Sequence, residues 1–129
     1  MKQFFNFLSI NLFYRLPVLA LCSIIFWLSS MPVSGTQLFS NADKVLHFAI
    51  YGMLAILVSR AIRKEKPLFS DTNIKIASIL LVSLYGLSDE IHQAFVPDRT
   101  PSIFDLMADC LGSITGSFLY VDFIRRSNL

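Results

Sequence analysis

Leu16–Met31 reads LPVLALCSIIFWLSSM, a run without a single charge, and the apolar residues among Ile10–Tyr14 can extend it toward the N-terminus. About 20 apolar residues in a helix cover the ~30 Å of a bilayer's hydrocarbon. Three further stretches come close to that length: Lys44–Ile62, Ile74–Phe95 and Ile103–Ile124. A water-soluble helical bundle would need a wide polar face on every helix, and neither Ser23–Trp27 nor Met53–Val58 offers one. The reading is all-α: a polytopic membrane protein, a four-helix transmembrane bundle with spans near 12–31, 44–62, 74–95 and 103–124, forming one domain over residues 1–129.

Composition points the same way. The chain has 129 residues, 54% hydrophobic and 16% charged, with 12 Phe, whereas soluble domains carry about 25% charged residues. Its net charge is only +2 and the basic residues adjoin apolar segments instead of lining one long stripe, which argues against nucleic acid as a partner. Cys22 and Cys110 lie within apolar stretches without metal-site spacing and read as small buried side chains.

Basic residues near span ends set orientation. Lys2 and Arg15 precede the first span, Arg60, Arg63, Lys64, Lys66 and Lys75 surround the second connection, and Arg125 and Arg126 follow the fourth; only Lys44 and Arg99 remain for the other side. Both termini are therefore expected in the cytoplasm, with Pro32–Asp43 and Val96–Ser102 facing outward. A signal-peptide reading of the first segment is disfavoured because no small-residue cleavage site precedes Pro32–Thr36. Residues 3 to 13 read as an interfacial lead-in, and Ser70–Asn73 supplies N-cap candidates for the third span.

The unusual polar residues gather at the outward ends. At 100° per residue, Lys44, His47 and Tyr51 share one stripe of the second span. Tyr85, Asp89, His92 and Gln93 share a face of the third, with Glu90 about a quarter-turn away. On the fourth, Asp105, Ala108, Asp109, Gly112 and Gly116 lie on one arc, whose small residues suit close helix contact and so turn the two acids inward. Taken singly, such groups are ordinary caps and ion pairs: Asp43 and Asp105 at helix starts, Arg99 with Asp98 or Glu90. As a set at one depth they exceed what stability needs, because buried ion pairs rarely improve on apolar packing.

The blocks Asp43-Lys44-x-x-His47-Phe48-x-x-Tyr51-Gly52 and Tyr85-Gly86-x-x-Asp89-Glu90-x-x-Gln93-x-Phe95-x-Pro97-x-Arg99-x-x-Ser102-x-x-Asp105-x-x-Ala108-Asp109-x-x-Gly112 resemble the VanZ-like membrane family. The resemblance implies a multi-pass protein of the bacterial inner membrane. It also brings a link, through the family's name, to teicoplanin resistance. The positions it carries over are Asp43, Lys44, His47, Tyr51, Asp89, Glu90, Gln93, Arg99, Asp105 and Asp109. One departs from the family pattern: Asn is expected where Asp109 stands, so this chain carries an extra acid there.

Two main uses of such a site follow. In the first, an outward polar pocket that also includes Tyr85 binds an anionic envelope component, such as a lipid carrier headgroup or a lipid-linked cell-wall precursor, with Lys44 and Arg99 holding phosphate or carboxylate. In the second, the protein is a hydrolase or transferase acting on such a lipid, with Asp89 or Glu90 as general base and His47 as acid or base. No cofactor is expected as such, but Asp89, Glu90, Asp105 and Asp109 could together take a divalent metal. A third use is transport of a proton or ion, for which a pore would require a homo-oligomer, or the scaffolding of partners. No GxSxG elbow, P-loop or HExxH motif is present.

Overall fold

The computed structural model describes residues 1–32, 42–124 and 126–128. The stretch 33–41, which holds most of the expected outward loop Pro32–Asp43, lies outside the described residues, as does Arg125. Among the described residues the protein is all-helical, with no strand.

Four helical rods pack side by side. The first joins α1 (Lys2–Ile10) to α2 (Leu16–Ser29) through a π-helical turn at Asn11–Arg15. The others are α3 (Ala42–Glu65), α4 (Asp71–Gln93) and α5 (Ile103–Phe118), the last continued by a π-helical segment, Leu119–Ile124. Two are long and apolar enough to cross a membrane: Gln3–Ser29, with 27 residues, and Ala42–Glu65, with 24. The lead-in expected at residues 3 to 13 is thus continuous with the first rod. Local chemistry fixes two helix starts. Ser70 Oγ accepts from Asn73 N at 3.1 Å and Ser102 Oγ from Asp105 N at 3.4 Å, satisfying amides that a first turn leaves without partners.

The distribution of side chains is inverted relative to a soluble bundle. Trp27, Leu80, Leu84, Ile91, Phe104 and Leu111 are exposed, while Ser59, Ser78, Ser113 and Ser117 are fully buried. Inside, hydroxyls tie the rods together: Ser117 donates to Ser78 at 3.0 Å, Ser78 to the Ala55 carbonyl at 3.1 Å, and Ser83 meets Ser113 at 3.1 Å. An apolar exterior around a polar seam suits hydrocarbon as the surrounding medium.

The tightest contact joins α3 to α5 through glycines. A Cβ on Gly112 would fall 2.4 Å from the Phe48 carbonyl oxygen, and one on Gly116 would fall 2.1 Å from that of Gly52. No side chain fits between these backbones, so the residues just N-terminal to this contact on each helix are brought together. Those residues are His47 and Asp109.

At the far end of the rods lie the basic residues. Arg15 Nε reaches Glu65 at 2.6 Å, Arg63 pairs with Asp71, Lys75 Nζ reaches Asp122 at 2.7 Å, and the Arg60 guanidinium sits 4.6 Å from the Tyr14 ring centroid.

Candidate functional site

Three helices deliver the cluster. From α3, His47 Nδ1 lies 2.9 Å from Asp109 Oδ1 on α5. Asp109 is wholly buried, and its second oxygen, Oδ2, has no hydrogen-bond partner among the described residues. That oxygen has room because Gly86 on α4 lacks a side chain: a Cβ there would stand 2.9 Å from Oδ2. Glu90, only 5% exposed, accepts from the Ser102 backbone N–H at 2.8 Å through Oε2, while Oε1 is without a hydrogen-bond partner among the described residues. Glu90 thereby helps begin α5 and faces the cluster from α4.

Around this centre, Asp89 Oδ2 accepts from Gln93 Nε2 at 3.1 Å, both residues being buried. Lys44 Nζ lies 3.3 Å from Asp43 Oδ2 and 3.6 Å from Asp105 Oδ1, at the margin of the site. The Tyr51 ring is parallel to that of His47, with centroids 6.1 Å apart. A small cavity of about 100 Å³ adjoins the cluster, lined in part by His47, Tyr51, Asp89, Gln93, Ser29 and Arg99.

The structure also separates residues that share a stripe in sequence. His92 turns to α2, where its Nε2 meets Ser30 Oγ at 2.9 Å and its ring stacks on Phe26 at 4.6 Å. Tyr85 donates from Oη to the Cys22 carbonyl at 2.6 Å. Arg99 pairs with neither Asp98 nor Glu90: its Nε and Nη2 donate to the carbonyls of Met31 and Leu28 at 2.9 and 2.8 Å, closing the end of α2. Arg99 still borders the cavity.

Among the described residues, the group whose atoms could converge on a metal is His47, Glu90 and Asp109, with one ligand atom from each lying within 4.8 Å of the others. Asp89 and Asp105, also expected in such a set, are engaged with Gln93 and approached by Lys44.

A second cavity, of about 550 Å³, is apolar and runs between α2, α3 and α4. Tyr85 lies at one end, and Arg15, Glu65 and Lys66 at the other.

With the paired carboxylates, His47 and the α3–α5 glycine contact in place, sequence comparison gives the family: a model described as VanZ/LLP1 matches residues 2–125. The chain belongs to the VanZ/LLP1 family. No curated protein and no solved structure matches it. For this VanZ/LLP1 protein, family membership and the two helices able to cross a membrane together point to a membrane protein.

Proposed function

We propose that this VanZ/LLP1 protein is a multi-pass inner-membrane protein whose outward-facing polar pocket binds an anionic, lipid-linked component of the bacterial envelope. All four rods would span, with both termini in the cytoplasm and the acid–imidazole end toward the exterior. The basic residues at the opposite end support that orientation. The family's name adds a link to glycopeptide susceptibility.

One observation carries the reading: a cavity with Arg99 on its wall and His47, Asp89 and Gln93 around it lies inside a structure whose exterior is apolar. Ionisable groups are costly within a membrane and are retained where they face an interior site. With Nε and Nη2 of Arg99 on the Met31 and Leu28 carbonyls, Nη1 is the part of the guanidinium offered to phosphate or carboxylate. The apolar cavity that begins at Tyr85 supports a lipid-linked ligand, because it offers a course for a hydrocarbon chain beside the polar end.

The test is binding of a prenyl phosphate, compared with the uncharged prenyl alcohol, to protein in nanodiscs. The phosphate should bind at least tenfold more tightly, and Arg99→Ala should weaken it by about 1.5–3 kcal/mol, the worth of a charged hydrogen bond. Equal affinity for alcohol and phosphate, or unchanged affinity in a folded Arg99→Ala variant, would refute the pocket.

A second reading, a lipid hydrolase or transferase, is favoured by one specific contact. An imidazole oriented by a buried carboxylate, as His47 is by Asp109, is the arrangement of a general base. Phosphate release from the same lipid that stops in His47→Gln while binding survives would establish it; binding without turnover would leave the first reading standing.

A further inference from the structure

We propose that His47, Glu90 and Asp109 form a binding site for one divalent transition-metal ion of the class that accepts mixed imidazole and carboxylate ligands, such as Zn²⁺ or Mn²⁺. The site is independent of any lipid and does not depend on the headgroup reading above.

Spacing comes first. Nitrogen and oxygen ligands sit about 2.0–2.2 Å from Zn²⁺, so neighbouring ligand atoms in a tetrahedral shell stand roughly 3.3–3.6 Å apart. His47 Nδ1 and Asp109 Oδ1 are separated by 2.9 Å, and one ligand atom from each of His47, Glu90 and Asp109 lies within 4.8 Å of the others. Glu90 holds the Ser102 amide through Oε2, which leaves Oε1 as the oxygen it can offer to an ion.

Unmet bonding capacity is the second, independent observation. Glu90 Oε1 and Asp109 Oδ2 are buried oxygens without hydrogen-bond partners among the described residues, on residues 5% and 0% exposed. An unpaired buried carboxylate oxygen is costly, and a cation is the partner that satisfies it most fully.

Charge balance is the third. Asp89, Glu90, Asp105 and Asp109 are all buried, and the nearby cations are Lys44, which also serves Asp43, and Arg99, whose Nε and Nη2 are committed to carbonyls. A divalent ion at the centre offsets the surplus of negative charge. The imidazole selects among ions: Mg²⁺ and Ca²⁺ prefer all-oxygen shells, whereas Zn²⁺ and Mn²⁺ accept a nitrogen.

The experiment uses chelator-stripped full-length protein in nanodiscs, equilibrated with Zn²⁺ or Mn²⁺ alone. One ion per chain is expected, and the Mn²⁺ paramagnetic resonance spectrum should show coupling to an imidazole nitrogen. His47→Gln and Asp109→Asn should each weaken binding by more than the about 10–100-fold that follows loss of an outer-shell partner. Asp122→Asn, at the other end of the rods, should bind as wild type. The chain has only 2 His, so His92→Gln assigns the nitrogen coupling to His47 in wild-type-like protein even where a ligand variant fails to fold. Absence of a stoichiometric ion, an ion without nitrogen coupling, or unchanged affinity in both ligand variants would overturn the site.

Discussion

Gly86 on α4 and Asp109 on α5 are complementary: the carboxylate occupies the space that a side chain at residue 86 would take. A Cβ there would lie 2.9 Å from Asp109 Oδ2 and 3.2 Å from Tyr51 Cε1. Within a helix, Gly→Ala is ordinarily favourable by about 1 kcal/mol, but overpacking costs about 1–3 kcal/mol. Gly86→Ala should therefore be net destabilising or neutral, and it should displace Asp109. Thermal unfolding in nanodiscs reads the first effect, and metal or prenyl phosphate affinity reads the second.

The α3–α5 contact allows a sharper comparison between glycines. At Gly112 and Gly116 a Cβ would meet backbone oxygens at 2.4 and 2.1 Å, while at Gly52 the nearest atom would be 3.4 Å away. Backbone cannot give way as the tip of a side chain can. Gly112→Ala and Gly116→Ala should each cost about 1–3 kcal/mol or more by forcing the helices apart. Gly52→Ala should be near neutral. The order of the three unfolding midpoints checks this.

Much of the site was legible in the sequence because helical spacing is local. Asp105 and Asp109 share an arc with Ala108, Gly112 and Gly116, and a small-residue arc must face a neighbouring helix; both acids are buried in the structure. Which neighbour each polar face would meet was not legible. Tyr85 and His92 share a stripe with Asp89 yet bond to Cys22 and Ser30, because α2 packs along that side of α4. Glu90, a quarter-turn away by spacing, enters the cluster because the turn into α5 brings the Ser102 amide to it. Arg99 contacts carbonyls 68 and 71 residues earlier in the chain, a relationship that periodicity cannot encode. The π-helical turns at Asn11–Arg15 and Leu119–Ile124 likewise leave no pattern in apolar spacing.

Arg99 closes α2 with a planar fork that lysine cannot reproduce. Arg99→Lys keeps the charge but reaches one carbonyl at most, so amide hydrogen exchange should rise at the end of α2, around Ser30 and Met31. Exchange there equal to wild type would show that the two carbonyl contacts do not hold the helix end.

The orientation makes a prediction that needs no ligand. With Cys22 and Cys110 replaced by Ala, a cysteine at Thr100, which is exposed, should react with a membrane-impermeant maleimide added to the outside of intact spheroplasts. A cysteine at Lys64, also exposed, should react only after permeabilisation. The reverse pattern would invert the protein.

At the distal end, Lys75 Nζ is 2.7 Å from both oxygens of Asp122. The Asp122 side chain is 42% exposed, so the pair should contribute no more than about 1 kcal/mol in a double-mutant cycle of Lys75→Ala and Asp122→Asn. Neither variant should alter ligand or metal affinity.

The measurement that bears most directly on the convergence of His47 with the buried acids is the imidazole nitrogen spectrum of ¹⁵N-histidine-labelled His92→Gln protein in bilayers, where His47 is the sole histidine signal. Because Nδ1 lies 2.9 Å from Asp109 Oδ1, its resonance should shift in Asp109→Asn and stay in place in Asp122→Asn. An Nδ1 resonance unchanged by Asp109→Asn would mean that the imidazole and the carboxylate do not meet, and the site built on their contact would not exist.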